Sequence, residues 1–132
     1  MLKKQLTLTT QKYVKAVLHL DNNEVMHITA KARFKPSENK TSWKKETSEI
    51  KELFDRRVTS HIENTPCFDK RFLCGLDMSD GNLSPKKWSR LNFEIYVKPI
   101  CDEAEEKLAI VAEKTAESLV SMMENMGMQF KT

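Results

Sequence analysis

Several residue types are scarce in this 132-residue chain, and each scarcity closes off a class of protein. Glycine occurs 3 times and proline 4 times, which leaves little material for long flexible linkers. No glycine-rich phosphate loop and no nucleophile elbow can be found. Cysteine occurs 3 times, at Cys67, Cys74 and Cys101, an odd number without C-x-x-C spacing. Reduced thiols in an intracellular protein are the simplest reading of that set. No apolar run approaches the roughly 18 residues that a membrane span needs. Lys3 and Lys4 lead into an alternating polar stretch, not into the apolar core of a secretory signal. The expectation is a cytoplasmic protein without a membrane segment.

What is present suits one domain over 1–132, with 39% apolar and 31% charged residues. The net charge of +3 is small, but it is unevenly placed: residues 1–66 carry 13 Lys and Arg against 8 Asp and Glu, and residues 67–132 carry 9 against 11.

The stretch 24–35 organises the reading. Met26, Ile28, Ala30, Ala32 and Phe34 are apolar, and His27, Thr29, Lys31, Arg33 and Lys35 alternate with them. Period-two alternation of this length marks a half-buried strand with one basic face. An earlier strand spans 5–20, with Leu6, Leu8, Val14, Ala16, Leu18 and Leu20 on the apolar parity and a bulge or break expected near Thr10-Gln11, because sixteen residues exceed the usual strand length. Asp21-Asn22-Asn23 reads as the turn between the two. Even-numbered residues are apolar in both strands, so a three-residue loop pairing Leu20 with Glu24 keeps the apolar sets together. Pro36 closes the second strand.

A helix follows over 42–62, with Trp43, Thr47, Ile50, Phe54, Val58 and His61 as its apolar-side stripe. Strands are expected at 71–78 and 88–98, separated by a turn-rich loop, and a last helix at 101–126. Asp102, Glu103, Glu105 and Glu106 crowd the first turns of that helix, where its dipole favours anions, and Gly127 stands where a cap belongs. Strand-strand-helix thus occurs twice, as a weak pseudo-repeat of 1–66 and 67–132. The predicted fold is α+β, a four-stranded antiparallel sheet with two helices on one face.

The outward parities of the four strands converge on one surface. Lys15, Lys31, Arg33, Lys35, Arg71, Arg90 and Lys98 stand there against Asp77 and Glu94, and Tyr13, Trp88, Tyr96, His19 and His27 lie among them, with Lys86 and Lys87 in the adjoining loop. Cations displace the counterions condensed on a phosphate backbone, and flat rings stack on bases. The expected function is non-enzymatic binding of DNA or RNA with low sequence specificity, because charge and shape do not read base edges. The other reading is a small inhibitor or adaptor that docks an acidic protein surface through the same face. The sequence also admits a homodimer, formed through a sheet edge or the methionines Met122, Met123, Met126 and Met128.

No other pattern organises a site. His19 and His27 alone make a poor metal centre, His61 belongs to the apolar side of its helix, and Cys74 and Cys101 point inward, away from any histidine partner. Asp77, Asp80 and Asn82 lack calcium-loop spacing and read as a turn. No catalytic residue, metal or cofactor is expected.

Overall fold

The computed structural model describes residues 4–9, 12–21, 24–36, 43–78 and 86–132. The alternation of the central stretch is realised as β3 (Val25–Lys35), whose Met26, Ile28, Ala30, Ala32 and Phe34 are buried while the intervening side chains remain partly or fully in solvent. Its antiparallel neighbours are β2 (Lys15–Asp21) and β5 (Ser89–Val97). Outside these lie β1 (Lys4–Thr9), paired with β2, and β4 (Leu73–Met78), paired with β5. A short β6 (Gln129–Phe130) pairs with Phe34 and Lys35 of β3, past the point at which β2 begins opposite Lys31. The strand order is β1-β2-β3-β5-β4, with β6 as a side branch on β3.

The helices α1 (Trp43–Glu63) and α2 (Ala104–Asn125) join the buried face of the sheet in one core. Ile50, Phe54, Val58 and Ile62 of α1 recur at four-residue steps and are buried, and the Phe54 ring lies 5.4 Å from that of Phe93 on β5. Trp43 is half-buried against the core, and Ile62 takes the innermost place expected of His61. On α2 the expected Ala104, Leu108, Val111, Ala112, Thr115 and Leu119 are buried. Gly127, at φ 87, ends that helix: its N–H donates to Glu124 O, and Met128 N–H donates to Met123 O at 2.9 Å. This is the left-handed cap in which glycine carries no steric penalty. The turn returns the chain to β3 as β6. Met123 and Met128 are buried and Met122 and Met126 are half-buried on the core, so most of the methionine cluster is spent inside.

The molecule is therefore α+β with two helices and a six-stranded antiparallel sheet, which corrects the expectation of four strands in two equal units. The single strand expected over 5–20 is a hairpin. Leu6 faces Leu18 and Leu8 faces Ala16, so the chain reverses without changing which parity is apolar. Strand-strand-helix still recurs as β2-β3-α1 and β4-β5-α2, but β1 and β6 fall outside that scheme. Three residues separate Asp21 from its partner Val25, one position later than expected, and even residues still oppose even ones, as in Leu20 with Met26. The expected break at Thr10-Gln11, the turn residues Asn22 and Asn23, the loop 37–40 and the loop 79–85 with Asp80 and Asn82 lie outside the described residues.

A second correction concerns the cysteines. Cys67 and Cys101 form a disulfide across 34 residues, leaving Cys74 as a thiol. The sequence shows no proximity between them; it arises because Phe68 pairs with Pro99 and Ile100 N–H donates to Cys67 O at 2.7 Å, which brings the exit of α1 against the exit of β5. Among the described residues no helix is long and apolar enough to cross a membrane.

Candidate nucleic-acid interface

The register sorts the uncovered face of the sheet into rows, each running across the strands. One row reads Gln5, His19, His27, Tyr96 and Leu73 on five adjacent strands. The next holds Thr7, Val17, Thr29, Glu94 and Gly75. Then come Lys15, Lys31, Asn92 and Asp77, followed by Arg33 opposite Arg90. Two residues of strand advance about 6.7 Å, so the lysine row lies ~13 Å from the ring row. The surface that appears uniformly basic and aromatic along the sequence is two surfaces.

At the basic end, Lys15, Lys31, Arg33 and Arg90 share a recess of about 470 Å³ with Tyr13, Lys12 and Lys131. Two of its cross-strand pairs set like charges directly opposite, Lys15 with Lys31 and Arg33 with Arg90. Such pairs destabilise a sheet by some tenths of a kcal/mol each. Among the described residues no Asp or Glu side chain lines this recess. The aromatic rings here support ammonium groups: Lys12 Nζ stands 4.8 Å from the Tyr13 ring centre, and Lys35 Nζ and Lys131 Nζ stand 4.6 and 5.7 Å from that of Trp88. Tyr13 also stacks on Phe130 at 5.5 Å. The rings hold cations in place by cation–π attraction.

At the other end, the rings occupy one another. His19 and His27 stack at 5.1 Å, and His27 and Tyr96 at 3.8 Å with planes 11° apart. One face of Tyr96 is therefore covered by a neighbour, which removes much of the stacking platform expected of it. His19 Nε2 lies 2.9 Å from Thr29 Oγ1, and His27 Nε2 lies 3.6 Å from a carboxylate oxygen of Glu94. Leu73, the last member of this row, is 73% exposed.

The remaining predicted residues are dispersed. Lys98 is exposed past Tyr96, at the ring end and not the basic end. Arg71 precedes β4 in an exposed segment and bonds to Asp69, whose oxygens accept from its backbone N–H at 2.8 Å and from its guanidinium at 3.4 Å. That backbone bond, then the side-chain bond, holds the Asp69 carboxyl below its ordinary range. Arg71 thus does not join the basic row. Lys86 and Lys87 are exposed just before Trp88. Lys12 and Lys131 are the members that sequence reasoning missed. Lys12 interrupts the apolar parity of its stretch, a signal of chain reversal, whereas nothing local marks Lys131, whose place depends on β6.

Other chemistry is sparsely provided. Desolvation and the nearby Asp55 carboxylate push the Cys74 thiol up to about 11, so it stays protonated at neutral pH. Burial, with Lys114 and Arg57 adding to it, lowers the His61 pKa below 6.5. Among the described residues, the metal-type donors within mutual reach are Cys67, Cys101 and Glu103, and the two sulfurs of that group are already joined in the disulfide. Comparisons of the chain with protein-family models, with curated proteins and with solved structures yield no match.

Proposed function

We propose that this is a non-enzymatic nucleic-acid-binding protein that grips the phosphate backbone with the basic end of its open sheet face. The observation that carries the reading is the pair of like-charge facings, Lys15 with Lys31 and Arg33 with Arg90, in one recess. Like charges set opposite one another cost a sheet some stability, and a bound polyanion would offset that cost. Lysines propped over Tyr13 and Trp88 extend the cationic surface toward Lys35. Low sequence specificity follows, since the contacts are to phosphates and not to base edges.

The test is affinity for single- and double-stranded DNA and RNA across a salt series. Steep weakening with salt is expected, and no detectable binding near ~50 mM salt sinks the reading. A protein that purifies free of nucleic acid and retains one acidic protein partner would move the basic face to that partner instead. A cytoplasmic setting belongs to the same proposal, and the Cys67–Cys101 bond weighs against it, since structural disulfides persist in oxidising compartments. Thiol labelling on cell lysis decides this: labelling of Cys74 alone excludes a reducing compartment. A homodimer would use the outer edges of β1 or β4, the end strands of the sheet, and a light-scattering mass of one chain at micromolar concentration would exclude it.

A further inference from the structure

The basic recess has features that a groove for passing backbone does not need. Its six cations, Lys12, Lys15, Lys31, Arg33, Arg90 and Lys131, come from the bend before β2, from β2, β3 and β5, and from the segment after β6. They surround one space and do not follow a line. Two distant parts of the chain meet to form the wall. Lys131 N–H donates to Arg33 O at 2.9 Å, which carries the last residues along β3 where β2 no longer covers it. The bend at Tyr13 meets that segment through the stack on Phe130. An internal phosphodiester brings one negative charge to any one point. A terminal phosphomonoester brings about −1.5 to −2 and three strong acceptor oxygens. Two guanidiniums placed opposite each other, with lysines on both sides, match the second ligand better than the first. The volume of about 470 Å³ also suits one phosphate with its nucleoside.

Resting on the nucleic-acid reading above, we propose that this recess is an end-binding site that takes the terminal phosphate of a nucleic-acid strand. A second hollow lies between the lysines and the rings beside Thr29 and Gly75, but Asp77 and Glu94 also line it, so the phosphates of the strand are expected to leave the recess on another side.

Fluorescence anisotropy with one labelled single strand tests this, prepared with a 5′-phosphate, a 3′-phosphate or hydroxyls at both ends. One phosphorylated form is expected to bind roughly tenfold more tightly than the hydroxyl form. In Arg33→Gln and in Arg90→Gln that advantage should disappear, while the hydroxyl strand loses less. Circular dichroism and thermal melting confirm that each variant is folded, and loss of Arg33 should leave the melting temperature equal or higher. Equal affinity for all three ends overturns the end site and leaves backbone binding standing; absence of binding by every strand fails the parent reading. A nucleoside monophosphate that competes as well as the phosphorylated strand overturns the strand-end form and assigns the recess to free nucleotides.

Discussion

The two ends of the open face are built on the same strands, a few residues apart, and satisfy their side chains in opposite ways. At the ring end the groups answer one another: His19 on His27, His27 on Tyr96, a carboxylate of Glu94 beside an imidazole nitrogen, and a disulfide beyond. At the basic end, like charges stand opposite and the rings serve to hold more cations. One end is settled by ring and imidazole contacts, and the other gathers cations of one sign around a recess. A concentration of aromatic and basic residues is thus no guarantee that both serve a ligand together. Register decides which side chains are neighbours.

The contrast can be broken experimentally, and the largest effect should come from the disulfide. Opening Cys67–Cys101, by reductant or as Cys67→Ser with Cys101→Ser, frees a loop of 34 residues and should cost about 3–4 kcal/mol on the chain-entropy account. Denaturant titration measures it, and nucleic-acid affinity of the still-folded protein should hardly change. An equal loss of affinity would join the two ends.

Replacing Lys31, Arg33 and Lys35 together by glutamine should lower affinity about 100-fold near 100 mM salt and flatten the log–log salt slope by up to ~3. His27→Ala or Tyr96→Ala should move it less than about threefold, because the Tyr96 face nearest its partner is already occupied. If the ring variants lose as much as the basic triple, bases do reach the rings and the division drawn here is wrong.

Smaller still, Lys31→Thr or Arg33→Thr should raise stability by about 0.5 kcal/mol while weakening binding. Opposite signs in melting and in anisotropy would separate a ligand site from a merely solvated polar face. The least effect concerns acidity. His61 has a folded-state pKa below its ordinary 6.5, through burial first and then Lys114 and Arg57. Its contribution is therefore complete above pH 6.5 and is lost as pH falls through that value toward the folded one, since the unfolded chain takes up the proton first. His61→Gln should make the melting temperature less sensitive between about pH 7 and pH 5.

Much of the architecture can be read directly from residue order. Alternation at Val25–Lys35 and at Ser89–Val97, and the apolar steps Ile50, Phe54 and Val58, identify their elements because period follows from backbone geometry. The β1–β2 hairpin escapes the same method for a physical reason. Leu6 and Leu8 share parity with Ala16 and Leu18 whether the chain runs straight or turns back through a loop that sets even against even. The tight clustering of Lys15, Lys31, Arg33 and Arg90 is likewise half visible: parity puts them on one face, but only the register places them in adjoining rows.

By itself, then, the order of residues determined the helices, the central strands and a sheet side facing water with excess positive charge, because these follow from local periods and from the burial of apolar side chains. The tertiary structure alone decided which cations became neighbours, that Lys12 and Lys131 joined them, that Tyr96 was paired off with His27, and that Cys67 met Cys101. Each of those depends on pairing between segments far apart in the chain, and contacts of that range leave no periodic trace in either segment.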